Sequence, residues 1–168
     1  NPELHKAVEP IKLYAVPTTA GTGSEVTPFA TVWDHEKREK HSLTGSGVFP
    51  HSAFVDPALT DDLPAEITLS TGLDAINQAV ESIWNKNATP FSIDYATRAL
   101  RLGFPALRKL VENKGGITER DQMAECSLLA GFAISQTRTA LCHSISYPIT
   151  VHLGVPHGLA CAFTMPAV

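Results

Sequence analysis

A loop rich in threonine and glycine is the first part of the sequence that could bind a ligand. Residues 18–24 read Thr-Thr-Ala-Gly-Thr-Gly-Ser, a run too small and too polar to form a core. Gly21 and Gly23 would let the backbone approach a phosphate closely, and the neighbouring hydroxyls and amides could donate hydrogen bonds to its oxygens. The hydroxyl residues are Thr18, Thr19, Thr22 and Ser24. The loop could therefore hold the pyrophosphate of a dinucleotide, although such loops also occur as purely structural turns.

An aspartate within an apolar, helix-forming segment is the second feature that suggests chemistry. Asp74 lies among apolar residues that recur at helical spacing, where a carboxylate without a partner would be costly to bury. A metal ion would satisfy it. Gln78 follows one turn later on the same face of the predicted helix. His143 and His157 are, by spacing alone, ordinary hydrogen-bonded histidines, because a helix of ~15 Å would have to fold back to bring them together.

Short strands and longer helices must position these residues. Apolar, β-prone runs predict strands at residues 11–16, 28–33, 40–44 and 53–55. Beyond about residue 62, apolar positions recur at helical spacing. The predicted helices cover residues 70–86, 91–113, 118–135, 140–153 and 158–168, and Pro105 is expected to kink or split the second. The chain is thus predicted to join an α/β part, residues 1–61, to an all-helical part, residues 62–168.

The composition excludes several classes of protein. With 168 residues, 43% of them hydrophobic, the chain can form one domain or parts of two. A net charge of −4 with scattered basic residues argues against binding to nucleic acid or acidic lipid. No apolar run approaches the ~20 residues of a membrane helix, and the N-terminus lacks the features of a signal peptide. We therefore expect a cytoplasmic protein that binds neither nucleic acid nor membrane.

The cysteines and most of the histidines are expected to have no special role. Cys126, Cys142 and Cys161 form an odd set without Cys-x-x-Cys spacing, which favours reduced, buried thiols over disulfides or a structural zinc site. The histidines predicted to be ordinary solvated or hydrogen-bonded side chains are His5, His35, His41, His51 and His152.

Eleven consecutive residues, Pro17 to Thr27, resemble the signature loop of the iron-containing alcohol dehydrogenase family. The resemblance implies a dehydroquinate synthase-like two-domain plan. Residues 1–61 would be the C-terminal part of an α/β dinucleotide-binding domain, and residues 62–168 a truncated helical metal-binding domain. Since both ends look cut, we expect a central fragment of a longer chain. The implied activity is hydride transfer between NAD or NADP and an alcohol or aldehyde, with Fe(II) or alternatively Zn(II), in a homo-oligomer.

The same resemblance assigns cofactor contacts within the loop. It implies that Thr18, Thr19 and Thr22 contact the dinucleotide, with Gly21 and Ser24 close by.

Two further cofactor contacts are implied outside the loop. Lys40 matches a family lysine near the ribose and phosphates, and Leu59 falls where the family packs an aliphatic residue near the nicotinamide. From the residues alone, Lys40 reads equally well as a solvated charge at a strand edge, and Leu59 as ordinary core.

A metal centre is also implied, with one departure. Residues 72–81 resemble the first helix of the family's metal domain, in which an aspartate and a histidine four residues later are ligands. Asp74 matches the aspartate, but Gln78 occupies the histidine position, and a neutral amide binds Fe(II) or Zn(II) more weakly than imidazole does. His143 and His157 match the family's other metal histidines in position and context.

Tyr147 and Arg138 bear on the reaction and the substrate. Tyr147 stands where many members carry a second histidine near the nicotinamide, so its hydroxyl or solvent would relay the proton. Arg138 precedes the ligand helix and would suit an anionic substrate, but it reads equally well as a helix C-terminal charge or a surface ion pair. Residues 135–148, with Gln78, resemble the branch that reduces phosphonoacetaldehyde to 2-hydroxyethylphosphonate, whose phosphonate would match an arginine fork.

Two alternatives remain beside this interpretation. Glycerol dehydrogenase, a zinc enzyme, and dehydroquinate synthase share the two-domain plan, although the threonine-glycine loop disfavours both. Gln78 and Tyr147 leave open a catalytically impaired or inactive binding remnant of the same fold.

Overall fold

Five α-helices occupy most of the chain after residue 64 in the computed structural model, which describes residues 11–34, 36, 37 and 39–168. They are α1 (Ala65–Trp84), α2 (Pro90–Val111), α3 (Ile117–Thr137), α4 (Leu141–Leu153) and α5 (His157–Thr164). Each corresponds to a predicted helix. One prediction needs correction, because α1 begins at Ala65 rather than at residue 70. Of the two effects expected at Pro105, a kink or a split, the split does not occur, since α2 runs through this residue.

Local sequence explains where two of these helices begin. The Thr89 hydroxyl accepts a hydrogen bond from Ser92 N (3.1 Å), and the Ser92 hydroxyl accepts one from Thr89 N (2.9 Å). With Pro90 at the first helical position, this reciprocal cap fixes the start of α2. Glu119 caps α3 by accepting from Gly116 N at 2.9 Å. Both caps satisfy amides that have no partner within their own helix.

Helices α1, α2 and α3 pack against one another through small residues, and α5 packs against α1 and α4. The core positions that are fully buried alanines are Ala75, Ala79, Ala96, Ala99, Ala106, Ala130 and Ala133. Small side chains let helix backbones approach closely, so the relative positions of these helices are tightly determined. This rigidity matters because functional side chains project from α1, α4 and α5.

Four short strands precede the helices in the described part of the chain. Strand β1 (Tyr14–Ala15) pairs in parallel with β4 (Ser52–Ala53), and β2 (Phe29–Asp34) forms an antiparallel hairpin with β3 (Glu39–Thr44). The first predicted strand, residues 11–16, is therefore shorter than expected. Strands followed by a helical bundle agree with the predicted α/β plus all-α fold class.

The cysteines are all buried and unpaired, as expected. His5 and His35 lie outside the described residues. His41, His51 and His152 are exposed. None of the described helices combines the length and the apolar character needed to cross a membrane.

Candidate active site

Four side chains from three helices converge on one point. Asp74 lies on α1, His143 on α4, and His157 and Cys161 lie one turn apart on α5; their ligand atoms are all within 4.8 Å of one another. Asp74 Oδ1 is 3.0 Å from His143 Nε2 and 3.9 Å from His157 Nε2. The Sγ of Cys161 is 3.7 Å from the same His157 nitrogen. A carboxylate, two imidazoles and a thiol therefore face a common centre.

The return of the chain after α4 brings the second histidine into this cluster. Helix α4 ends at Gly154, whose φ of 68° lies in the left-handed region that glycine adopts without a steric penalty. Pro156 then directly precedes α5, which starts with His157. A straight continuation of α4 would have carried His157 away from His143. This turn therefore brings together two histidines whose spacing in the sequence does not by itself predict a contact.

Each histidine is held so that its Nε2 points toward the cluster. His143 Nδ1 donates to Glu81 Oε2 at 2.6 Å. The Ser146 hydroxyl donates to the His143 carbonyl at 2.7 Å. Since its proton is used there, Ser146 Oγ can accept a hydrogen bond from His157 Nδ1 at 3.3 Å. Hydrogen-bonding one ring nitrogen fixes the tautomer and leaves the other as a ligand. The donor set therefore fits a divalent cation.

Glu81, a fully buried carboxylate on α1, organises the start of α4. Its two oxygens also accept from the backbone amides of Ala140 (2.8 Å), Cys142 (2.6 Å) and His143 (3.3 Å). Burial alone would raise the pKa of Glu81, but the hydrogen bonds and charge of His143, together with these amides, hold it below its ordinary value. The resulting anion both caps α4 and orients His143.

The neighbours of His143 also change its pKa. Burial alone would lower the pKa of His143, but hydrogen bonds with Asp74, Cys161 and Glu81 raise it well above its ordinary value. A proton held between His143 Nε2 and Asp74 Oδ1, which are 3.0 Å apart, would lie where a cation would bind. Metal ligation requires that this proton leave, so metal binding should release protons.

Gln78 lies between the cluster and the threonine-glycine loop. Its Nε2 donates to the Thr22 carbonyl at 3.3 Å, which fixes the orientation of the amide because the carbonyl can only accept. The side chain is 4% exposed, and its Oε1 has no hydrogen-bond partner among the described residues. A buried oxygen of this kind costs free energy unless a donor or a cation satisfies it. This is a second observation that fits a cation at the cluster.

A cavity of about 760 Å³ joins the cluster to the loop and to the β2–β3 hairpin. The site residues from the sequence that line it are Thr22, Ser24, Lys40, Asp74, Gln78, Arg138, His143, Tyr147 and His157. Thr18, Thr19, Gly21 and Leu59 are not in its lining. Leu59 is 45% exposed in the 3-10 turn Pro57–Thr60.

The loop glycines serve helix packing in the described structure. A Cβ at Gly21 would lie 2.6 Å from Thr71 Cβ on α1, and one at Gly23 would meet the backbone of Gly131 on α3. Gly23 also has a φ of 61°, which disfavours other residues. The two glycines therefore seat the loop on two helices and present Thr22 and Ser24 to the cavity.

Tyr147 contacts both His157 and Lys40 at the site. The Tyr147 ring stacks on His157 with a centroid separation of 5.8 Å and an interplanar angle of 5°. Lys40 Nζ lies 3.3 Å from the centroid of the same ring, within the range of a cation–π contact. The hairpin that carries Lys40 is thus held next to α4.

Arg138 occupies an unusual backbone position at the end of α3. Its φ of 65° and ψ of 175° fall in a region adopted almost only by glycine. The guanidinium lies 5.4 Å from the Phe29 ring centroid and lines the cavity. A non-glycine residue in such a conformation is commonly associated with a functional site.

Sequence reasoning missed the roles of Glu81 and Cys161. Glu81 lies two helical turns after Asp74, so both acids share one face of α1. Cys161 lies one turn after His157, whereas the sequence predicts only a reduced, buried thiol with no special role. Burial would raise the pKa of the Cys161 thiol, but His143 and His157 lower it to about 7. In both cases the residue lies a whole number of helical turns after a predicted metal ligand, and this spacing could have indicated it.

Replacing Gly158 with alanine is expected to destabilise the protein by about 1–3 kcal/mol. Its added Cβ would overlap the Ser70 carbonyl oxygen and lie 3.0 Å from Asp74 N, both in the rigid backbone of α1. Helix α5 would have to move away from α1, and this movement would separate His157 from Asp74. Thermal unfolding measures the effect. Gly47→Ala is the control, because a Cβ there meets no atom within 4 Å; equal unfolding temperatures for both variants would contradict the prediction.

Known proteins are similar to this chain in sequence. A family model for the Fe-containing alcohol dehydrogenase family, C-terminal, matches residues 68–168, and one for iron-containing alcohol dehydrogenase matches residues 2–57. A phosphonoacetaldehyde reductase from Streptomyces viridochromogenes is 42% identical over 92% of this chain and 39% of its own. The probable alcohol dehydrogenase EutG of Escherichia coli is 37% identical over 94% of this chain and 40% of its own.

Solved structures are also similar to this chain. A sulfoacetaldehyde reductase from Bifidobacterium kashiwanohense, determined in complex with NAD+, superposes with a TM-score of 0.89 at 36% identity, covering 99% of this chain and 46% of that one. A 1,3-propanediol oxidoreductase gives a TM-score of 0.89 at 34% identity, covering 95% of this chain and 42% of its own. The chain spans about two fifths of the length of the curated relatives it matches.

Proposed function

Because the chain belongs to the iron-containing alcohol dehydrogenase family, we propose that the complete protein transfers hydride between NAD(P)H and a small aldehyde with the help of a divalent cation. The observation that supports this best is the convergence of Asp74, His143 and His157 on one side of a cavity. Thr22 and Ser24 line another side of it. The metal ligands and the dinucleotide loop therefore face a shared space large enough for a small ligand.

Different residues of the chain would serve different steps of the proposed hydride transfer. A bound cation would polarise the aldehyde carbonyl, and a bound nicotinamide would supply the hydride. Asp74, His143 and His157 would hold the cation, and Glu81 would keep His143 Nε2 directed at it. The Tyr147 hydroxyl, or solvent, would give the proton that the substrate oxygen takes up as the aldehyde becomes an alcohol. Tyr147 lines the cavity and stacks on His157, which supports this role.

The substrate that we propose is a short aldehyde with an anionic end. Arg138 and Lys40 both line the cavity, and no ion pair of the described residues involves Arg138. Two relatives at 36–42% identity are named for aldehydes that carry a phosphonate or a sulfonate. An arginine fork suits either group, since both present several oxygens to parallel N–H donors. NAD and NADP are both compatible with the residues described.

Removing the metal from the complete protein is expected to abolish aldehyde-dependent oxidation of NADH or NADPH. Adding back Fe(II) or Zn(II) should restore it, because the carbonyl is then polarised again. The measurement is loss of reduced-nicotinamide absorbance with phosphonoacetaldehyde, sulfoacetaldehyde and propanal. A protein that binds the metal and the dinucleotide but turns over none of these aldehydes would instead be the inactive remnant that Gln78 and Tyr147 suggest.

A further inference from the structure

We propose that the Cys161 thiolate is a direct ligand of the metal, so that this chain holds its cation with one carboxylate, two imidazoles and one sulfur. This inference rests on the metal site of the proposed function and adds a donor that the family resemblance does not imply. It would change which cation the site prefers and how the bound cation absorbs light.

The position of the sulfur supports this proposal. His157 and Cys161 are four residues apart on α5, so both point from the same face of the helix toward Asp74 and His143. A tetrahedral site with bonds of 2.0–2.3 Å separates neighbouring ligand atoms by about 3.3–3.8 Å. Three of the six separations are 3.0 Å from Asp74 Oδ1 to His143 Nε2, 3.9 Å from Asp74 Oδ1 to His157 Nε2, and 3.7 Å from Cys161 Sγ to His157 Nε2. Since all four atoms lie within 4.8 Å of one another, a cation could bind them together after shifts of about 1 Å or less.

Gln78 supplies an independent observation at the same place. The resemblance implies an imidazole at position 78, but this chain has an amide whose Nε2 is engaged by the Thr22 carbonyl. Its Oε1 is buried and without a partner, and the side chain lines the cavity beside the cluster. An amide oxygen is a weak ligand for Fe(II) or Zn(II). A thiolate restores the strong fourth donor that the glutamine fails to provide.

The other cysteines show that this placement is specific to Cys161. All three thiols are buried and unpaired, yet only Cys161 belongs to the metal-ligand cluster of the described residues. Cys126 lies instead in the contact between α2 and α3, next to Gly103. Since thiolate is a softer ligand than carboxylate, a site containing Cys161 should favour Zn(II) or Co(II) over Fe(II) more strongly than an all-nitrogen-and-oxygen site.

Absorption spectroscopy of the cobalt-substituted complete protein tests the proposal without using activity. After metal removal, one equivalent of Co(II) should produce the visible bands of a low-coordinate cobalt site together with an intense near-ultraviolet band from thiolate-to-cobalt charge transfer. Cys161→Ser and Cys161→Ala should lose the near-ultraviolet band and bind Zn(II) at least about 10-fold more weakly, the lower bound for losing even an outer-shell partner. Cys126→Ser, the matched control, should keep the band.

Each result separates this proposal from the proposed function. Visible cobalt bands without charge transfer in the wild type would overturn the sulfur ligand, as would a band that survives in Cys161→Ser. If hydride transfer with Zn(II) or Fe(II) persists in that case, the proposed function stands. Charge transfer at Cys161 without hydride transfer to any aldehyde would support the sulfur ligand and overturn the proposed function.

Discussion

Replacing Glu81 with glutamine is expected to weaken metal binding by about 10- to 100-fold and to lower the free energy of unfolding by about 3–5 kcal/mol. Oε2 of Glu81 accepts from Ala140 N and His143 Nδ1, and Oε1 accepts from Cys142 N and His143 N. Whichever way a glutamine amide is turned, its NH2 group meets two donors. The substitution therefore both misaligns His143 and leaves buried amides without an acceptor.

The two effects need separate measurements. Chelator competition with Zn(II) gives the affinity, and denaturant unfolding of the metal-free protein gives the stability. Glu125→Gln makes the same chemical change at an exposed side chain that pairs with Arg98 at 2.6 Å, and it should alter neither quantity measurably. If Glu81→Gln bound Zn(II) as tightly as the wild type, His143 would not depend on Glu81 for its orientation.

Loss of the Arg138 side chain is expected to reduce kcat/KM for an anionic aldehyde by about 10- to 150-fold, because hydrogen bonds to charged groups contribute about 1.5–3 kcal/mol. A neutral aldehyde of similar size should be reduced as before. Arg138→Gly should in addition raise the free energy of unfolding by up to about 2.5 kcal/mol. Glycine relieves a strained conformation worth about 1–3 kcal/mol, less its own entropic cost of about 0.5–1 kcal/mol.

Steady-state kinetics with phosphonoacetaldehyde and propanal measures the first effect, and thermal unfolding the second. Arg108→Ala is the control, since Arg108 is an exposed arginine on α2 that pairs with Glu112 at 3.0 Å. A variant that is more stable yet worse with the anionic substrate would show that the strain at position 138 is kept for recognition. Equal losses with both aldehydes would make Arg138 a structural residue and remove the argument for an anionic substrate.

The sequence was sufficient to predict the helices that carry the candidate site. Apolar residues at helical spacing marked α1 to α5, and the resemblance placed Asp74, His143 and His157 on three of them. Their separation in sequence could not show that they converge, because that depends on the left-handed turn at Gly154 and on the close contact of Gly158 with α1. Whether they ligate a metal stays a prediction.

Other features depended on contacts that no pattern in the chain encodes. Gly21 and Gly23 suggested a phosphate cradle, but the space that requires glycine is taken by Thr71 and Gly131 from helices far along the chain. Pro105 was expected to kink or split α2, and the helix runs through it without a split. Leu59, placed near the nicotinamide by resemblance, lies outside the cavity lining. Whether Leu59 contacts a bound nicotinamide stays a prediction.

The hydrogen bond from Gln78 to Thr22 joins the two sides of the cavity and would couple ligand binding at one side to the other. A dinucleotide that displaces Thr22 would shift the amide next to Asp74, and a cation that polarises the amide would strengthen its hold on Thr22. Free energies of this kind are reciprocal, so any factor by which the cofactor tightens metal binding must equal the factor by which the metal tightens cofactor binding. Gln78 would then make retention of the metal depend on how much reduced or oxidised nicotinamide the cell contains.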